Sequence, residues 1–259
     1  MSGHIVWARE SAIATITLVN PGKRNAIDYA MWQQLAEIVG DLSKDDELRC
    51  VVVRGDGDQA FAAGGDIAEF LSQRDTLDRA MAYHAQAGAA LQALYDCRPP
   101  TIALIQGSCI GGGLEIAAQC DLRICGASAR FGAPINRLGF SMYPVEMQAL
   151  LRLLGPATML EILLEGRLLD AEEALAKGLV TRRVADADVV DEAYATARRI
   201  CAGAPLVARS HKQWIRRLQQ PAPPSDEELR ASFAFLETED YREGLAAFLE
   251  KRQPNFRAR

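Results

Sequence analysis

With 259 residues, 49% of them hydrophobic and 24% charged, the chain has a globular composition, excludes a disordered one, and suits one large domain or one domain with an appendage. A net charge of −5 argues against nonspecific nucleic-acid binding, while leaving room for a local basic patch that holds a phosphate. The first residues lack the basic, apolar and small-residue succession of a secretory signal and no apolar run approaches the ~20 residues of a membrane span, so a cytoplasmic protein off the membrane is expected.

Residues 5–9 and Ile13–Val19 read as strands ahead of a turn at Pro21-Gly22. Asp28 is placed to cap a helix over Tyr29–Leu42. A strand at 50–54 leads to a first glycine junction, Gly64-Gly65, and a helix is predicted over Leu77–Asp96, stopped by Pro99-Pro100. A strand at 101–106 feeds a second junction, Gly111-Gly112-Gly113, and a further short strand falls at 121–125. A helix starts at Pro144, and after Gly155-Pro156 the chain turns mostly helical, with segments at 158–164, 171–177 and 188–202. Gly203-Ala204-Pro205 is the clearest boundary, separating a core at 1–203 from a helical region at 204–259. That region holds a basic helix at 207–218, a break at 221–224 and a capped helix start at Ser225. The strand–helix order predicts an α/β fold of stacked β-β-α units rather than a closed barrel.

The second junction carries the most chemical information. Ile110-Gly111-Gly112-Gly113-Leu114-Glu115 sets bare backbone N–H groups at a helix start with a carboxylate one step inside. A glycine N–H can touch a carbonyl oxygen directly, and a helix N-terminus favours developing negative charge. Two such junctions on neighbouring strands would aim two amides at one oxygen, which is how a carbonyl is polarised. A tight strand-to-helix turn would produce the same glycines. Ile116, Ala117 and Ala118 predict a buried helix, and a buried Glu115 needs a purpose beyond favouring the dipole. The six cysteines include no Cys-x-x-Cys pair and the three histidines do not cluster with them, so no metal site is expected. Cys109, two residues before the glycines, reads as core rather than nucleophile.

From about Ile13 onward the chain resembles the crotonase superfamily, the enoyl-CoA hydratase/isomerase family. The resemblance rests on Asn20-Pro21-Gly22-Lys23-Arg24-Asn25-Ala26, the Ala62 to Ile67 segment, Gln106 to Asp121, Phe131-Gly132-Ala133-Pro134 and the tail Phe248 to Pro254. It implies a spiral of β-β-α units, an acyl-CoA thioester as substrate with no cofactor beyond the substrate's own coenzyme A, and a homotrimer or dimer of trimers formed through the C-terminal part. It implies an oxyanion hole at the amides of Gly65 and Gly112, and Glu115 as first catalytic glutamate. Arg24, Ala26, Ala63, Gly64, Gly65, Asp66, Ile67, Gly112 and Ile135 fall where the family binds substrate, and Lys23 or Arg24 is placed near the CoA phosphates. Asp66 is expected to cap the helix after Gly65.

The chain departs from the family's pattern at informative places. The second glutamate of family hydratases corresponds to Ile135, which cannot transfer a proton; the usual alanine of the oxyanion hole is Gly65. The segment around Ser141-Met142-Tyr143-Pro144-Val145-Glu146 replaces a glycine-rich turn. Tyr143 is a candidate proton or hydrogen-bond donor to the acyl group, or a residue packed at a corner; Glu146 reads first as an acid favouring a helix start. Water addition to a 2-enoyl-CoA with Glu115 as base is the leading expectation. The alternatives are isomerisation, decarboxylation or carbon–carbon cleavage through an enolate, and an acyl-CoA binding protein with weak turnover.

Overall fold

The computed structural model describes residues 2–259. Two N-terminal strands, β1 (His4–Glu10) and β2 (Ile13–Val19), form an antiparallel hairpin, and β2 buries alternate residues as the two-residue period requires. Helix α1 (Tyr29–Leu42) turns Met31, Trp32, Leu35, Val39 and Leu42 inward. Its cap is Asp28, whose carboxylate accepts the Met31 amide at 2.9 Å and ties down Gly3 at 2.7 Å.

Three turns of a spiral follow, each laying one strand in each of two sheets. β3 (Cys50–Gly55) is followed by β4 (Ala60–Ala62), α2 (Ile67–Gln73) and α3 (Leu77–Asp96). β5 (Thr101–Ile105) is followed by β6 (Ser108–Ile110) and α4 (Gly112–Gln119), then β7 (Leu122–Gly126) by β8 (Arg130–Gly132), a 3-10 turn Pro134–Leu138 and α5 (Pro144–Glu165). The spiral closes with β9 (Leu169–Asp170), α6 (Ala171–Ala176), β10 (Arg182–Val184) and α7 (Val189–Cys201). The larger sheet runs β1-β2-β3-β5-β7-β10 and the smaller β4-β6-β8-β9. Strands β3, β5 and β7 are parallel and almost wholly buried, so they read as continuous apolar runs without alternation.

This is the expected α/β spiral. The strands β4, β6, β8, β9 and β10 have no individual signal in the sequence, because two or three residues carry no periodicity and depend on neighbours for pairing. The expected break at Gly155-Pro156 is present inside α5: Gly155 takes a non-helical φ 68°, ψ 170°, so Pro144–Glu165 is two helical segments joined at a kink. By length and composition α5 is the one helix of the described residues long and apolar enough to cross a membrane. Its Glu146, Ala149, Leu150, Leu154, Met159 and Ile162 are buried in the protein, while Val145, Leu151, Leu160 and Leu164 are exposed.

The remaining helices are α8 (Pro205–Arg217), α9 (Asp226–Ala231) and α10 (Glu239–Glu250). Ser225 and Glu228 form the predicted reciprocal cap of α9, at 3.2 and 2.7 Å. Helix α8 is fastened to the core by buried basic side chains. Lys212 reaches Asp121 at 2.6 Å and the Pro99 carbonyl at 3.0 Å, and Arg209 donates to the Asp46 carbonyl at 2.9 Å.

Candidate active site

The two glycine junctions stand side by side because β4 and β6 are parallel neighbours, Ala62 opposite Cys109. At the first junction Ile27 bridges Gly65 in parallel fashion: the Ile27 amide donates to the Gly64 carbonyl at 2.7 Å and the Asp66 amide to the Ile27 carbonyl at 2.8 Å. In such a bridge the amide of Gly65 itself points away from Ile27. At the second junction the Gly111 amide donates to the Gly132 carbonyl at 2.9 Å, and Gly112 opens α4 with its amide among the helix's unpaired first donors. Gly111 takes φ 48°, ψ −118°, and Gly64 takes φ 108°, conformations that a side chain would strain. Gly113 serves packing instead: a Cβ there would lie 2.6 Å from the Ala62 carbonyl oxygen.

One cavity is lined by Ala63, Gly64, Gly65, Ile67, Gly112, Glu115 and Ile135 of the expected set. Arg24, Ala26 and Asp66 lie on the adjoining turn and outside that lining. The Arg24 carbonyl accepts the Ala63 amide at 3.0 Å, and Asn20 holds the Ala26 carbonyl at 2.7 Å. Asp66 caps α2 through the Ala68 amide at 3.3 Å and binds Lys23 at 2.5 Å, which leaves Arg24 as the cation of that pair without an ion pair among the described residues.

Glu115 is 7% exposed on α4. Burial, reinforced by the charge of Glu146 and opposed by Arg74, holds its carboxyl well above the usual carboxylate range. Glu146 was expected to serve the start of α5, but it is 6% exposed, lines the same cavity and meets His84 Nδ1 at 2.6 Å. Tyr143 stands at the corner ahead of α5, the second of the two placements the sequence offers for it. It caps α5 and stacks its ring on His84, centroids 4.7 Å apart, outside the cavity lining. Asn136 is likewise turned outward, donating to the Leu164 carbonyl at 2.8 Å, because its segment is a 3-10 turn.

His84, Tyr83, Phe70, Arg74 and Phe140 also line the cavity, and no motif in the sequence points to them. Helix spacing places Tyr83 and His84 on the buried side of α3, a signal that could have marked them as inward but not as cavity residues. The Tyr83 hydroxyl accepts from Trp32 Nε1 at 3.2 Å, and burial raises its pKa. Cys109 is fully buried, and desolvation drives its thiol well above the ordinary value, as a core cysteine.

Comparison with known proteins gives a consistent result. A family model described as enoyl-CoA hydratase/isomerase matches residues 8–259. The crystal structure of an enoyl-CoA hydratase/carnithine racemase from Magnetospirillum magneticum is similar at TM-score 0.97 and 48% identity, covering 98% of this chain and 96% of that one. The short-chain-enoyl-CoA hydratase of Clostridium acetobutylicum is 30% identical over 256 residues, 96% of each chain. The carnitinyl-CoA dehydratase of Citrobacter koseri is 32% identical over 265 residues, with 100% of each chain covered.

Proposed function

The chain belongs to the enoyl-CoA hydratase/isomerase family, and on that premise we propose that it adds water across the double bond of a 2-enoyl-CoA thioester. The observation that carries the reading is the presence of two buried carboxylates, Glu115 and Glu146, in the cavity beside the Gly65 and Gly112 amides. Those amides receive the thioester oxygen as it gains charge, a pair of donors of which each is worth about 3 kcal/mol to the transition state.

In this reaction the water oxygen bonds to Cβ while Glu115 takes one water proton. The π electrons move to the thioester as an enolate held at the amides. The Glu146–His84 pair gives its own proton to Cα, the part for which Ile135 has no ionisable group, and both sites regain their starting protonation when Glu115 releases the water proton to solvent and the pair takes one up. The raised pKa of Glu115 suits this role, since a more basic carboxylate removes a proton from water more readily. Arg24 is the candidate for the CoA phosphates, and coenzyme A enters only as part of the substrate. The apolar residues left exposed on the C-terminal helices, Phe248 at 81% and Leu249 at 79%, support subunit contacts of a trimer or dimer of trimers.

The test is mass spectrometry of crotonyl-CoA, a 3-enoyl-CoA and a malonyl-type CoA incubated with the protein in deuterated water. Gain of water by crotonyl-CoA alone supports hydration. Deuterated double-bond migration, carbon dioxide loss or unchanged thioesters would replace it with isomerase, decarboxylase or binding-protein readings respectively.

A further inference from the structure

The cavity wall contains a guanidinium with no ionic partner among the described residues. Arg74 ends α2, and its guanidinium carbon lies 4.1 Å from the Phe70 ring centroid, 4.9 Å from that of Phe140 and 5.6 Å from that of Tyr83. All four residues line the cavity that holds Glu115. Arg74 makes no ion pair among the described residues, whereas its neighbour Arg79 pairs with Asp75 at 2.9 Å. The other cavity charges do not neutralise it. Glu146 is hydrogen-bonded to His84 at 2.6 Å, and neither carboxyl group of the cavity forms an ion pair with Arg74 among the described residues.

The geometry of the cluster leaves the guanidinium's binding edge unspent. Stacking on aromatic rings engages the planar face of the group, while its N–H donors lie in the plane and fit a carboxylate in bidentate fashion. Gly65 contributes to the arrangement, since a Cβ there would sit 3.1 Å from Phe70 Cζ and press on the ring that Arg74 covers. An aromatic cluster of this kind would otherwise suit a quaternary ammonium group. Here its faces are occupied by the protein's own cation.

We infer that Arg74 determines acyl specificity by receiving a carboxylate at the far end of the acyl group, so that the cavity prefers a carboxyl-bearing 2-enoyl thioester and rejects one carrying a quaternary ammonium. The inference rests on the acyl-CoA reading above, and its test is read by binding so that the two can fail separately. Calorimetry would compare crotonyl-CoA, glutaconyl-CoA, the corresponding 4-trimethylammonium enoyl-CoA and free CoA, using the intact protein and the variants Arg74→Gln and Arg74→Lys.

The expected result is glutaconyl-CoA bound at least about tenfold more tightly than crotonyl-CoA, as a charge-assisted pair provides. Arg74→Gln removes that preference, Arg74→Lys keeps part of it, and crotonyl-CoA and CoA change by less than about twofold because a remote acyl contact is not theirs. Equal weakening of all ligands by Arg74→Gln would assign Arg74 to a CoA phosphate and overturn the inference. Tightest binding of the trimethylammonium ligand, or no acyl preference in the intact protein, would also overturn it. Failure of every thioester to bind would remove the acyl-CoA reading along with it.

Discussion

His84 Nδ1 and Glu146 Oε1 lie 2.6 Å apart, brought together from α3 and α5 across 62 residues of chain. Both side chains are about nine-tenths buried, and the Tyr143 ring lies flat against the imidazole. The pairing gives the cavity a second oriented ionisable side chain besides Glu115, with none at Ile135. It also explains why that group comes from a helix start: the first turn of α5 faces the cavity, and Glu146 lies on its buried side.

Glu115→Gln keeps the shape of α4 and removes the base. The expected outcome is a fall in kcat of about 10²–10⁴, with the Kd for a thioester changed little. Steady-state kinetics alongside equilibrium binding measure both; unchanged kcat would dismiss Glu115 as base.

The same substitution should stabilise the fold in a pH-dependent way. A carboxyl whose folded pKa is raised contributes its full stability below the unfolded value, about 4.3, and loses it as pH climbs toward the folded value. Melting curves of Glu115→Gln should therefore gain over the parent at pH 7–8 and converge with it near pH 4. A constant difference across that range would contradict the raised pKa.

Glu146→Gln removes one of the causes that raise Glu115, so Glu115 becomes more acidic. The acid limb of kcat/KM should then move to lower pH while the plateau falls by about 10²-fold or more. His84→Ala should lower the plateau too, and His84→Gln, which restores a hydrogen bond to Glu146, should recover part of it. A pH profile that shifts upward in Glu146→Gln would refute the coupling.

Glycine substitutions separate backbone geometry from packing. Gly111→Ala must hold a side chain at φ 48°, ψ −118°, a strain of about 1–3 kcal/mol. Gly113→Ala drives a Cβ into the Ala62 carbonyl and should cost about 1–3 kcal/mol by overpacking. Gly40 on α1 has open space and ordinary φ, so Gly40→Ala should stabilise by roughly 0.5–1 kcal/mol. Denaturant titrations of the three variants provide the comparison, and equal effects would dismiss the geometric argument.

The exposed apolar end of α10 predicts subunit contact. Light scattering should report a trimer or its multiple for the intact protein and smaller species for Phe248→Asp with Leu249→Asp. A monodisperse monomer in both would remove the oligomer proposal.

The sequence by itself determined the elements whose signals are local. Asp28 and Ser225 cap helices because a short polar side chain can reach its own helix's free amides. The buried parallel strands show as apolar runs, and the glycine junctions mark where backbone conformation or close packing excludes side chains. Resemblance added the family and pointed to Glu115. Tertiary structure alone decided which side chains share the cavity. Tyr143 and Glu146 are three residues apart, yet Tyr143 stacks behind His84 while Glu146 lines the cavity, a division set by how α5 packs against α3. Arg74, Phe70 and Phe140 meet only after two separate turns converge on the cavity. Distances between side chains distant in sequence are fixed by packing, and packing leaves little periodic trace along the chain.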